Sequence, residues 1–202
     1  MEITNTKIIL LISIVVLAYY YITDVVFDLG KKCYGDDYVV LPDIGFRWID
    51  DKRNNKNLYT IKELMNFAFL IAFICLALNN NTAHSAITEY IIIVAIVLFI
   101  KNILFGSTIL PDPSQKCQKF SLKNPHKGSC HDLVISTHCT LSFVAFLLTL
   151  KYGIGGNIFA VIGGVYNIIL IYLILSLRQH YTIDIINAIL YSSLITWIVT
   201  KS

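Results

Sequence analysis

Long apolar runs alternate with polar loops of very unequal size along this chain. The runs lie at about 7–28, 61–79, 86–106, 132–150, 157–177 and 181–199, each near or above the roughly 20 residues that an α-helix needs to cross a bilayer. Buried helices of a soluble protein would be shorter and would keep a polar face. The pattern therefore predicts an all-α, polytopic membrane protein, a bundle of about six transmembrane helices, read as a single integral membrane domain over residues 1–202. The first run, IILLISIVVLAYYYITDVV, is too long for a signal-peptide core and has no small-residue exit, so it is read as a retained helix.

Six spans put both termini on one side, called side B. The loops at about 29–60, 107–131 and 178–180 then share the other, side A. Side A receives nearly everything polar, in GKKCYGDDYVVLPDIGFRWIDDKRNNKN, GSTILPDPSQKCQKFSLKNPHKGSCHD and RQH, whereas side B has only NNNTAHSA and KYGIGG. Long loops with Pro, Asp, His and Cys on one face point to that face as the working one. Most Lys and Arg residues are also on side A, among them Lys31, Lys32, Lys52, Arg53, Lys116, Lys119, Lys123 and Lys127. Taken alone, that places side A in the cytosol. Cys117 and Cys130 bracket one side-A loop at a separation that suits a disulfide, which needs an oxidising lumen. The N-x-T sequon at Asn80 lies on side B. These signals leave orientation open.

Composition agrees with the spans: 56% of residues are hydrophobic and 14% charged, against about 25% charged in ordinary soluble domains. A net charge of +3, without a compact basic motif, gives no ground for a nucleic-acid partner. Cys75 and Cys139 fall inside apolar runs and read as small core residues, and Cys33 has no evident partner. The Cys and His spacings fit no zinc pattern, so no metal is expected.

Chemistry concentrates at the side-A ends of the spans. His180 and Asp184 stand four residues apart at the start of the last run, with Asn187 and Tyr191 continuing the same stripe. A carboxylate one turn from an imidazole can take its N–H, fix its tautomer and stabilise the charge that forms when the other nitrogen attacks an electrophile. A headgroup-level His with an Asp reaching for water is the competing reading. The fourth run opens on SCHDLVISTHCTLSF, with Asp132 at its mouth and His138 nearly two turns in, a depth at which an imidazole belongs in a polar cavity. Two histidines and a carboxylate suit phosphoryl chemistry, one His attacking phosphorus and the other protonating the leaving alcohol. Lys101 and Arg178 are the cations available for phosphate oxygens.

Four segments, in order, resemble the sphingomyelin synthase family of the PAP2 lipid phosphate phosphatase superfamily. LPDIGF is similar to its first motif, and KNILFGSTILPDPSQKC to its second, with Lys101 where the family has Arg and Thr108, Leu110, Pro111, Pro113 and Cys117 in register. CHDLVISTHCT resembles Cys-Gly-Asp-x-x-x-Ser-Gly-His-Thr, and HYTID matches His-Tyr-Thr-x-Asp. The resemblance implies His180 as nucleophile, Asp184 as its partner and His138 as the second catalytic histidine, with Asp132 and Glu63 in support. It also implies a site facing the lumen or cell exterior, in endomembrane (Golgi or ER) or plasma membrane, and the Cys117/Cys130 pair as a family feature. Departures are His131 and Thr137 in place of Gly, and Cys139 in place of Thr. Lys101 keeps the charge of Arg without its bidentate fork.

The implied reaction moves a phosphocholine or phosphoethanolamine headgroup from a glycerophospholipid to ceramide through a phosphohistidine, releasing diacylglycerol and using no cofactor. The partners are then membrane lipids, and a homo-oligomer stays open. A lipid phosphatase or phospholipase C-like hydrolase is the alternative, although the Lys-x6-Arg-Pro element of the phosphatases is absent. A third reading, resting on His131 and Thr137, is a catalytically impaired lipid-binding protein.

Overall fold

A computed structural model describes residues 5–34, 38–115, 131 and 133–201, with only the backbone for 5–9, 11 and 12. Its helices are α1 (Asn5–Tyr34), α2 (Ile44–Trp48), α3 (Lys56–Leu78), α4 (Ala83–Ser107), α5 (Thr137–Tyr152), α6 (Gly156–Ser176) and α7 (Thr182–Lys201), and the described residues include no strand. The all-α membrane bundle is thus as expected. Among the described residues, five helices are long and apolar enough to cross a membrane: Ser13–Tyr34 within α1, then α3, α4, α6 and α7.

The sixth long helix, α5, has 16 residues, about 24 Å at 1.5 Å per residue, and begins at Thr137 instead of 132. Its position makes that length workable, because α5 packs against α3, α4, α6 and α7. Irregular backbone is tolerated at membrane depth where protein surrounds it. The polar groups of α5 find partners inside the bundle: Thr140 Oγ1 donates to Ser136 O at 3.0 Å, and Ser142 Oγ to Asn167 Oδ1 of α6 at 2.9 Å. Around this centre, α1 lies along α4. Leu17, Ile158, Ile168, Leu190 and Trp197 stay exposed, as lipid-facing positions should.

Two other helices, α3 and α2, also depart from the hydropathy reading. α3 opens five residues ahead of the apolar run, because Asn55 caps it by accepting from the N–H groups of Asn57 and Leu58 at 3.1 and 3.2 Å. α2 falls within the long first side-A loop and was not predicted. It packs on α6, with Asp43 as its N-cap.

His131 explains one departure from the family pattern. Its φ of +63° is the left-handed conformation that favours glycine. The ring nevertheless fits, being buried against α1, stacked on Tyr34 with centroids 5.7 Å apart and bonded through Nδ1 to Leu110 O. Gly30 leaves the room: a Cβ there would collide with His131 Cδ2. Gly30→Ala should therefore destabilise the protein by about 1–3 kcal/mol, read as a lower melting temperature in detergent. Adding His131→Gly should recover most of that loss.

Candidate active site

The site grows from one carboxylate. Asp184, in the first turn of α7, is fully buried. Its Oδ1 accepts the Val134 N–H at 2.9 Å, and its Oδ2 accepts the Tyr181 N–H at 3.0 Å and faces His180 Nδ1 at 3.2 Å. Its main-chain carbonyl accepts the Ser136 N–H at 3.1 Å, and Asn187 Nδ2 donates to Val134 O at 3.0 Å. Val134 has φ +75°, a conformation costing a β-branched residue about 1–3 kcal/mol. It persists because α7 holds both its N–H and its carbonyl. These bonds keep residues 133–136 out of helix and move the start of α5 to Thr137. His138 accordingly sits in the first turn of α5, which corrects the expectation of a histidine nearly two turns deep.

His180 precedes α7 instead of riding on it. The turn 177–181 still delivers the contact expected of positions four apart. With Nδ1–H given to Asp184, Nε2 keeps its lone pair and has no hydrogen-bond partner among the described residues. His180 as a whole is only 7% exposed.

His138 meets a second charged group. Its Nε2 is 3.5 Å from Glu63 Oε2 and 3.3 Å from Lys62 Nζ. Lys62 is fully buried, with Nζ 2.7 Å from Glu63 Oε1 and 2.8 Å from Gln179 Oε1. Lys62 and Gln179 escaped the sequence reading; the signal was a Lys–Glu pair at the very opening of an apolar run. The two histidines enter this polar cluster from α5 and from the α6–α7 turn, close enough for their positive charges to repel.

Lys101, fully buried in α4, donates to Thr137 Oγ1 beside His138, with the Tyr19 ring 5.8 Å away. Two departures from the family pattern thus meet in one hydrogen bond. The ammonium also stands at the α5 N-terminus, where Ser136 Oγ takes the Cys139 N–H and those of Thr137 and His138 have no partner within the helix.

Arg178, expected to meet phosphate, turns elsewhere. Its Nη2 donates to Phe46 O and Ile49 O at 3.2 and 2.9 Å, and its guanidinium covers the Phe46 ring at 4.1 Å. The reason is local. Gln179 N–H bonds to Ile174 O and Arg178 N–H to Leu175 O, a Schellman ending of α6 with Arg178 at φ +54°. That backbone directs the side chain onto α2, so Arg178 secures α2 and does not present its fork to a phosphate.

The LPDIGF segment is held to HYTID side by side. Asp43 Oδ2 accepts the Thr182 N–H at 2.8 Å, and Oδ1 accepts Thr182 Oγ1–H at 2.6 Å and the Phe46 N–H at 3.2 Å. One carboxylate therefore caps α2 and α7 together. Tyr181 OH donates to Pro111 O at 2.9 Å, and the Leu41 N–H donates to Tyr181 Oη at 3.2 Å. Asp112, also absent from the sequence reading, lies beyond Pro111; burial pushes its carboxyl above the usual range, while the Ser114 N–H and the charges of His131 and His180 pull it back. Asp132, Cys117 and Cys130 lie outside the described residues.

Comparison with known proteins bears on this end of the chain. Residues 129–201, which carry both histidines, match the family model described as PAP2 superfamily C-terminal. Two relatives from Oryza sativa, subspecies indica and japonica, are each named phosphatidylinositol:ceramide inositolphosphotransferase. Each is 26% identical over 174 residues, covering 74% of this chain and 52% of the relative. The chain spans about half the length of the curated relatives it matches. The resemblance read from the four motifs is borne out by these matches.

Proposed function

We propose that the protein transfers a phosphoalcohol headgroup from a glycerophospholipid to ceramide. The observation that carries this reading is a pair of histidines, each facing a carboxylate, at one polar end of a membrane bundle. His180 Nε2 attacks phosphorus, with Asp184 accepting the Nδ1–H and stabilising the positive ring. The bond from phosphorus to the diacylglycerol oxygen breaks as His138 gives that oxygen a proton, leaving a phosphohistidine. His138 then takes the proton of the ceramide primary hydroxyl. The ceramide oxygen attacks phosphorus, the N–P bond breaks, and both histidines return to their starting states. Lys101 and the first-turn N–H groups of α5 offset the phosphate charge. Glu63 supports His138, and Asp132 keeps the supporting part that the motif gives it. The site faces the lumen or exterior.

The rice relatives' names make phosphatidylinositol a donor to set beside phosphatidylcholine and phosphatidylethanolamine. The test supplies purified protein with each labelled donor, with and without ceramide. A ceramide-dependent phosphosphingolipid is the expected product, and its headgroup identifies the donor. Headgroup release at the same rate with or without ceramide, and no sphingolipid product, would replace transfer with hydrolysis. Equal lipid turnover by wild type and His180→Ala would leave only a lipid-binding role.

A further inference from the structure

Lys62 has no part in the reaction just described, yet the polar cluster is built around it. A lysine this near the end of a span ordinarily extends its ammonium to water. Lys62 turns inward, is fully buried, and directs Nζ at Glu63 Oε1 (2.7 Å), Gln179 Oε1 (2.8 Å) and His138 Nε2 (3.3 Å). Those acceptors come from α3, from the turn just ahead of His180 and from α5. Burying an ammonium is unfavourable unless its protons are satisfied, and here three acceptors face its three N–H groups.

We infer that Lys62 is a positioning residue that ties the supports of both histidines together and offsets the pull of Glu63 on the His138 proton. The inference rests on the transfer reading above. His138 Nε2 faces a donor and a carboxylate, and it cannot bond to both in one protonation state. Protonated at Nε2, it donates to Glu63 Oε2 and is repelled by the ammonium; with a bare Nε2, it accepts from Lys62. A residue that must give a proton in one half-reaction and take one in the next needs the two forms kept close in energy. Glu63 alone would favour the imidazolium, and the Lys62 charge restores the balance.

The other charged and titratable groups of the cluster are His180 of the α6–α7 turn, which opposes the His138 charge, and, one contact further out, Lys101 of α4 on Thr137, Tyr166 of α6 beside Glu63 and Cys139, Asp184 of α7 beside Cys139, and Tyr59 of α3, whose ring lies under the Lys62 ammonium. Lys62→Met leaves all of these side chains in the protein and takes away the ammonium that Glu63, Gln179 and the Tyr59 ring surround. Initial rates for wild type, Lys62→Met and Lys62→Arg are compared across about pH 5 to 9. Lys62→Met should move the acid limb of the profile upward by about one pH unit and slow transfer at neutral pH by about tenfold or more. Lys62→Arg, which keeps the charge, should hold the limb near its wild-type position.

A Met variant that is slower but has an unmoved limb would reduce Lys62 to a scaffold residue and overturn the inference; so would one identical to wild type. If the Met variant is not monodisperse, Lys62→Gln is read in the same way. Failure of both to fold, while Lys62→Arg folds, would show the charge to serve folding, which also overturns it. A wild type that releases headgroup without a ceramide product overturns transfer alone, and the profile is then read on headgroup release. A wild type that does neither removes the premise and the inference together.

Discussion

Asp184→Asn is expected to lower turnover by about 10³–10⁴-fold. The native carboxylate accepts on both oxygens, from Val134 on one side and from Tyr181 and His180 on the other. An amide has one acceptor and one donor end. Either orientation sets an NH2 against an N–H, so the variant loses the bond that orders 133–136 or the one that orients His180. In either case the imidazole also loses the negative charge that stabilises it while it carries the phosphoryl group. Headgroup release by the monodisperse variant, at saturating donor, is the measurement. Activity within tenfold of wild type would remove Asp184 from the mechanism.

Asp43→Ala should destabilise the fold more than any other change at a loop residue described here. The side chain accepts the first-turn N–H of two helices and the Thr182 hydroxyl. Losing one N-cap is worth about 1 kcal/mol, and charge-assisted bonds are stronger, so about 2–4 kcal/mol is expected. That corresponds to a fall in melting temperature of about 4–15 °C for a chain of this size. Thermal unfolding in detergent checks it. Asp43→Asn, which keeps one acceptor oxygen, should fall between Ala and wild type. Because Thr182 stands two residues after His180, the Ala variant should also lose activity below its melting point.

Hydropathy made the bundle legible, since a run of apolar residues long enough to cross a bilayer has few other uses. The His180–Asp184 contact was legible too, although α7 starts only at Thr182; a tight turn keeps residues four apart within reach of each other. What escaped depends on partners distant in sequence. The N–H of Val134 is taken by Asp184, fifty residues later, so the apolar letters of 133–135 do not become helix. Arg178, two residues before His180, reads as a phosphate ligand. Its actual direction follows from the α6 ending and from α2, a helix of five residues that no periodicity announces. Lys62 was passed over for the opposite reason. One charge inside an apolar run reads as reaching for water, and the three acceptors that draw it inward lie partly on elements encoded more than seventy residues away.

The brevity of α5 has a consequence for how a lipid reaches the chemistry. At its other end the helix is level with the α3–α4 turn, where Asn80 Nδ2 lies 3.5 Å from Tyr152 O. The missing length is therefore all at the end that bears His138, and about 24 Å of helix in a hydrocarbon layer of about 30 Å sinks that end beneath the headgroup plane. A phospholipid's cleavable linkage lies in the headgroup layer just above this depth, so the donor has only a short way to settle into the bundle. Such a substrate can slide in sideways with its tails still solvated by its neighbours, and no step of the cycle has to lift it out of the bilayer.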